Sequence, residues 1–387
     1  MRKILLVLNC LFSLILSAQQ QTDSISENTL KNTSEETLKE TPKGTINDPS
    51  FKTLLERVIK NDKMLNIMLD TRIDYQAKFN EQETKESSFR GNTLKLWFVG
   101  EIAPGFRFRV RQRLNKPQIP MRDNYASSTD HAFLDIDAGK KLTFRVGKQS
   151  ILFGTFEFDY NAADVYATSI GCNDLDFYKT GISAAYKVAN QTLNFQVINS
   201  DSPQFTVEKY RSKSLAGIFL WEGSLFNDVI KTRYGYGAFQ HDANKYYSWV
   251  TVGNQINIQK FTAELDWYMG DRDMNYGDVV QDPELGSRHV RDNAVTVNLT
   301  YDLGKVKPIL KGTWNKRRDQ LNSGSYINGA VQAAVEYYPF TDPLLKNLRF
   351  HVMYAYNRTN YNGVYNNLDG VDGHQILAGM RWLVKIK

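Results

Sequence analysis

The strongest constraint on the fold is a long stretch, from residue 64 to residue 80, in which apolar and polar side chains alternate. Its odd positions are mainly aliphatic or aromatic, and its even positions are mostly charged or amide side chains. Successive side chains of a β-strand point to opposite faces, so the stretch predicts a strand with one apolar face and one polar face. Strands of globular proteins average only about five or six residues. The length of this stretch therefore indicates the wall of a membrane β-barrel.

The same alternation recurs along the chain and predicts sixteen strands. They cover residues 64–80, 92–104, 106–115, 131–138, 142–150, 179–188, 192–199, 214–221, 229–240, 245–255, 260–270, 293–302, 306–316, 327–338, 348–358 and 374–386. Short connections, such as Pro104-Gly105, alternate with long ones, such as residues 81–91 and 151–178. Bacterial barrels have an even number of strands, short periplasmic turns and long external loops. We therefore predict an all-β fold, a 16-stranded antiparallel transmembrane β-barrel spanning residues 64–387, in the bacterial outer membrane.

The residues before the barrel divide into three segments. Residues 1–18 combine a basic start, an apolar stretch and small residues at the end, which is typical of a signal peptide. Residues 19–47 are polar and predict a disordered tail, because they offer little apolar surface to bury. Residues 48–62 predict a short periplasmic helix, with Asp48 as its cap and Pro49 at its first position.

Composition excludes several classes of function. Aromatic residues make up 12% of the chain, which suits the aromatic girdles of a barrel. The net charge of +6 is spread along the chain, without the compact basic block that nucleic-acid binding uses. The five histidines are scattered and no Gly-x-Ser-x-Gly motif occurs, so we predict neither an enzyme nor a metal or cofactor site.

The most distinctive polar feature is the segment from Phe106 to Arg113. With its phenylalanines facing lipid, Arg107, Arg109, Arg111 and Arg113 all point into the barrel, about 7 Å apart along the strand. Guanidinium stays charged at any working pH and suits phosphate and carboxylate groups. The column therefore predicts a path for anions, although arginine could also serve as a polar filler of the lumen.

Other strands place further cations on the same inner face, and we include three of them as pore-lining candidates. These are Arg72, Lys95 and Arg145. Acids also face inward, among them Asp70, Asp74 and Glu264. The lumen is therefore expected to be mixed, with one basic stripe.

The longest connection, residues 151–178, is the third external loop. Loops of this length inside a compact domain are usually functional. We expect it to fold into the lumen and form the constriction; the alternative is that it covers the outer mouth.

Three segments resemble the family of phosphate-selective porins O and P. The first runs from Gly147-Lys148-Gln149 through Phe153-Gly154 to Glu157, Asn161, Asp164 and Tyr166. The second runs from Gly100 through the arginine segment to Lys116, and the third from Gln375 to Trp382. The resemblance implies a sixteen-stranded barrel that is often trimeric, with an infolded third loop and a basic ladder that binds phosphate or polyphosphate. Only Arg107, Arg109, Arg111 and Arg113 match its ladder motif.

The predicted function is thus a passive outer-membrane porin that prefers small anions such as phosphate or polyphosphate. Its expected partners are inorganic anions as solutes, outer-membrane lipid, and two further copies in a homotrimer. Two alternatives stay open: a general non-selective porin, or a barrel that anchors a periplasmic or surface assembly partner.

Overall fold

The computed structural model describes residues 63–80, 84–121, 123–161, 163–202, 205, 213–275 and 287–387. The predicted signal peptide, polar tail and N-terminal helix (1–62) lie outside the described residues.

Sixteen antiparallel strands form a closed barrel, as predicted, in which β1 pairs with both β2 and β16. The strands are β1 (Asn66–Phe79), β2 (Thr84–Ala103), β3 (Phe106–Arg113), β4 (Thr129–Ala138), β5 (Leu142–Ser150), β6 (Tyr178–Val188), β7 (Gln191–Asn199), β8 (Leu215–Leu225), β9 (Ile230–Asp242), β10 (Lys245–Ile258), β11 (Phe261–Asn275), β12 (Ser287–Tyr301), β13 (Val306–Asp319), β14 (Ser325–Tyr337), β15 (Leu348–Asn362) and β16 (Val371–Lys385). Among the described residues, no helix is long and apolar enough to cross a membrane.

The alternation of β1 divides its side chains as the sequence predicts. Ile73 and Tyr75 are 44% and 38% exposed on the outer face. Asp70 and Asp74 lie on the inner face and are fully buried. A buried carboxylate needs paired charges or hydrogen-bond donors, so other groups must occupy the lumen beside this strand.

Several long connections are shorter than predicted. Phe79 pairs with Thr84, so the first connection spans residues 80–83 rather than 81–91. The strands that flank the predicted loops 271–292 and 359–373 likewise continue into them, to Asn275 and from Ser287 in the first case and to Asn362 and from Val371 in the second. In these extensions both faces can meet water, so apolar alternation is not required and the sequence pattern gives no signal.

The wall is uneven in height. Strands β3 to β8 have 8 to 11 residues each. Strands β9 to β16, with β1 and β2, have 13 to 20. The side of the barrel formed by β3 to β8 is therefore shorter than the rest and is called the low wall. It includes β3, the strand that carries the arginine column.

Candidate functional site

The third loop, residues 151–177 between β5 and β6, passes through the lumen. Lys95 on β2 donates from Nζ to Asn161 Oδ1 at 2.8 Å. Thr251 on β10 donates to the carbonyl oxygen of Phe153. In a ring of sixteen strands β2 and β10 lie on opposite sides, so a segment that contacts both must cross the interior.

An apolar patch on the inner wall holds the first part of the third loop. The Phe153 ring stacks on Phe239 at 5.7 Å between centroids and also packs on Trp249 at 5.4 Å. Ile198 and Ile218 complete the patch and are nearly fully buried. Removal of this apolar surface from water favours the docked position of the loop.

Polar contacts fix the middle of the loop on β11 and β13. The backbone N–H groups of Phe156 and Glu157 donate to the Asp266 carboxylate at distances of 2.8 to 3.1 Å. The Glu157 side chain in turn accepts from Lys311 Nζ at 2.6 Å, and both side chains are almost fully buried. Loss of one partner would leave a buried charge without its counter-charge, which is strongly destabilising.

The far part of the loop is fixed at the seam where β15, β16 and β1 meet. Asp164 accepts from Arg349 Nη1 at 2.7 Å and also forms an ion pair with Arg381. Arg72 donates to the carbonyl oxygen of Val165 at 2.9 Å. The third loop is therefore attached at both sides of the lumen.

The arginine column lies on the inner face of β3, and three of its members have carboxylate partners on β4. Arg107 Nη2 donates to Asp137 Oδ1 at 2.7 Å. Arg111 and Arg113 both pair with Asp130, with Nε–Oδ2 distances of 2.9 and 2.8 Å. Much of the positive charge of the column is therefore balanced locally.

Arg109 is the exception. It forms no ion pair or hydrogen bond with another described residue, and its guanidinium lies 5.9 Å from the Trp97 ring and 5.6 Å from the Phe133 ring. Its Nε is buried, whereas its terminal nitrogens are not. The Arg145 guanidinium lies 4.0 Å from the centroid of the Phe133 ring, but it pairs with Asp135 at 2.7 Å. Arg109 thus holds a charge that a solute can reach.

The remaining two predicted residues are placed under the third loop. Arg72 and Lys95 are only 4% and 2% exposed. Arg72 pairs with Asp74 and Lys95 binds Asn161. Their contacts hold the loop, and their anion-binding role stays a prediction.

A cavity of about 580 Å³ separates the arginine column from the third loop. Its basic lining residues are Arg109, Arg111, Arg113 and Lys116, and its acidic ones are Asp130, Glu157, Asp159 and Asp176. Lys116 and Ser150 mark its external end, since they lie at or beyond the ends of strands that lead into the second and third loops.

Two further cavities of about 330 Å³ each lie toward the short-turn end, against β8 to β15. Tyr160 lines all three cavities, and its ring is 41% exposed. Its hydroxyl donates to Glu264. Burial of the hydroxyl, together with the charge of Glu264, raises the pKa of Tyr160, so the group remains a donor. The Tyr160 side chain therefore borders both the external cavity and the two periplasmic cavities.

The docking surface for the third loop was missed from the sequence. Ala216, Ile218 and Leu220 face inward on β8 and are 1%, 6% and 0% exposed. Leu215 and Phe219 face outward on the same strand, so β8 is apolar on both faces. A strand that is apolar on both faces is covered on both faces. The two apolar faces of β8 could therefore have predicted where the third loop docks.

The comparisons with known proteins agree with this architecture. The sequence profile of the family described as "Phosphate-selective porin O and P" matches residues 65–275. No curated protein sequence gives a significant match.

Three solved structures show the same fold. The outer membrane channel DcaP of Acinetobacter baumannii has a TM-score of 0.59 and 13% identity, over 82% of this chain and 96% of its own. The anion-selective porin from Comamonas acidovorans has a TM-score of 0.55 and 7% identity, over 82% of this chain and 99% of its own. OmpT of Vibrio cholerae, in its trimer form, has a TM-score of 0.53 and 13% identity, over 83% of this chain and 99% of its own.

The family match extends from the start of the barrel to the end of β11 and includes the arginine column and the third loop. The closed barrel and its lumen fit this assignment, so the protein is a channel of the bacterial outer membrane. The chain belongs to the family of phosphate-selective porins O and P.

Proposed function

We propose that the protein is a passive channel that prefers small anions such as phosphate or polyphosphate. The observation that carries this proposal is Arg109, whose charge has no counter-ion among the described residues and whose terminal nitrogens are open. A guanidinium group binds phosphate and carboxylate oxygens through a planar fork of donors. Charge in a narrow lumen with walls of low dielectric also concentrates counter-ions.

The charge balance around the 580 Å³ cavity supports an anion preference. Each acid in the lining is paired within the described chain. Asp130 pairs with Arg111 and Arg113, Glu157 with Lys311, Asp159 with Arg233, and Asp176 with Lys179. Arg109 and Lys116 have no such carboxylate partner among the described residues. Asp130 is shared by two arginines, whereas Arg233 and Lys179 are each shared by two acids, so the charge left after pairing is positive once Arg109 and Lys116 are added.

The third loop is proposed as the constriction. It crosses the lumen, separates the external cavity from the two periplasmic cavities, and places Tyr160 between them. Arg111 and Arg113, which are partly neutralised by Asp130, would attract an anion only weakly. Weak successive sites let an ion pass without being trapped, which conduction requires.

Reversal potentials across planar bilayers in a potassium chloride gradient test the proposal. The native protein is expected to favour chloride, and Arg109→Gln to move the reversal potential toward potassium. Arg318→Gln is the matched control, because Arg318 is exposed on the outer face of β13, near the external end of that strand.

The other outcomes decide between the alternatives. A current without preference for either ion identifies a general porin. A protein that inserts but carries no current identifies an anchor for an assembly partner. An equal shift in both variants would mean that Arg109 acts only through net charge.

We further propose that three copies assemble, as the family resemblance implies and as OmpT does in its trimer form. On the low wall, Phe144, Val146 and Lys148 share the outer face of β5, but Lys148 is only 1% exposed and pairs with Asp123 at 3.3 Å. Asp123 belongs to the second loop, residues 114–128, and also accepts from Thr180 on β6 at 2.7 Å.

The position of this ion pair argues against contact with lipid. Lys148 is six residues beyond the start of β5, or about 16 Å along the barrel axis, within the ~25 Å apolar band of such barrels. Irregular backbone facing lipid does not occur at that depth. A neighbouring copy would shield the second loop and Lys148 there.

A further inference from the structure

The aromatic lining of the 580 Å³ cavity is not explained by conduction of small inorganic anions. Six aromatic side chains line it: Trp97, Phe158, Tyr160, Tyr166, Phe177 and Tyr178. A hydrated inorganic anion interacts with charged and hydrogen-bonding groups, and aromatic faces repel it, because the ring quadrupole is negative at its face. The lining therefore points to a solute that also has an apolar part.

The rings come from both sides of the cavity. Trp97 on β2 and Tyr178 at the start of β6 belong to the wall, whereas Tyr160 and Tyr166 belong to the third loop. A solute in the cavity would thus meet aromatic surfaces on two sides. Such a mixture of aromatic lining and a few placed charges is typical of sites for small organic molecules.

Part of this aromatic surface has a structural role. The Trp97 and Tyr178 rings lie 4.8 and 4.9 Å from the guanidinium of Arg111. Arg111 is only 5% exposed, so these two rings hold it and it offers little contact to a solute. Arg109 differs, because its terminal nitrogens are open and unpaired among the described residues.

The cavity is also large for an inorganic anion. Its volume of about 580 Å³ falls within the range of small-molecule pockets, roughly 300–1,000 Å³. An anion with one ring could place its charged group at Arg109 and still reach the opposite aromatic surface. Lys116, the other cation of the cavity lining without a carboxylate partner among the described residues, adds a second attractive charge at the external end.

We propose that this cavity binds small aromatic carboxylates, with the carboxylate paired to Arg109 and the ring held against the aromatic lining. The proposal rests on the anion preference proposed above and names the class of organic solute that the channel takes. Carboxylate accepts the guanidinium fork in the same way as phosphate, so inorganic anions and aromatic acids would share the charged group but not the rings.

The native protein gives the first test, through block of the single-channel chloride current by three monocarboxylates. Benzoate, cyclohexanecarboxylate and acetate carry the same charge, and the first two are similar in size. Benzoate is expected to block half of the current at a concentration about two- to tenfold lower than cyclohexanecarboxylate, the ratio that one aromatic pair provides. Acetate should block least.

A pair of variants assigns the effect to the cavity. Tyr160→Leu is expected to remove the advantage of benzoate over cyclohexanecarboxylate, because it removes an exposed ring that the third loop contributes to the cavity lining. Phe195→Leu is the matched control, because Phe195 is 55% exposed on the outer face of β7, and it should keep the advantage.

The outcomes separate the two proposals. A channel that prefers chloride over potassium but responds equally to benzoate and cyclohexanecarboxylate overturns the aromatic site and leaves the anion porin intact. A channel without preference for chloride overturns both. If Tyr160→Leu does not assemble, the comparison of solutes on the native protein decides alone. An equal loss of the benzoate advantage in Phe195→Leu also overturns the aromatic site, because the Phe195 ring lies outside the lumen.

Discussion

Four arginines at identical spacing on β3 have different environments. Their common face could be read from the sequence, because it follows from the period of a strand. Their pairing could not, because it depends on which carboxylates the neighbouring strand places opposite. Asp130 and Asp137 on β4 neutralise three of them, and Arg109 remains open because it lies beside Phe133 instead. The four arginines are equivalent in the sequence. In the structure, three of them are paired with carboxylates and Arg109 is left open.

An exposed acid of the third loop, Asp159, gives a prediction at the scale of single residues. Asp159 lines both the external cavity and one periplasmic cavity, is 67% exposed, and pairs with Arg233 at 3.1 Å. Asp159→Asn removes a negative charge that lines both cavities, while Arg233 keeps its ion pair with Glu222 at 2.7 Å, so the chloride preference is expected to increase. Reversal potentials measure the change, and Asp369→Asn in the exposed loop 363–370 is the control. A decrease in chloride preference would contradict the proposed path.

At the scale of elements, the strands could be predicted well inside the membrane and poorly beyond it. Alternation requires one face in lipid, so it ends where both faces meet water, as in residues 84–91 of β2. The length of the third loop was visible in the sequence, but its attachment was not. That attachment uses side chains from distant strands, such as Lys311 and Arg349, which pattern alone cannot assign to the loop.

The third loop also gives a prediction. Tyr160→Ala removes the ring that borders all three cavities, and single-channel conductance is expected to rise because the path widens there. Tyr246→Ala is the matched control, since Tyr246 is 57% exposed at the external β9–β10 hairpin and should leave conductance unchanged. Unchanged conductance in Tyr160→Ala would place the constriction elsewhere.

At the scale of the whole molecule, the proposed trimer places the low wall between copies of the chain. Val146 on β5, in the low wall, is 45% exposed, and Val352 on β15, outside the low wall, is 59% exposed. Light scattering in detergent is expected to give three times the mass of one chain. Val146→Trp should shift the protein toward single copies by overfilling the interface, whereas lipid accommodates the ring in Val352→Trp. A single-chain mass for the native protein, or equal behaviour of the variants, would contradict the trimer.

The seam between the first and last strands has a consequence for assembly. Asp164 of the third loop binds one arginine from β15 and one from β16, and Asn161 binds Asp70 on β1 and Lys95 on β2. These partners come together only when the ends of the chain have paired, because β1 and β16 are the most distant strands in sequence. Insertion of the loop and closure of the ring therefore stabilise each other, and the loop can reach its final position only in a barrel that has closed.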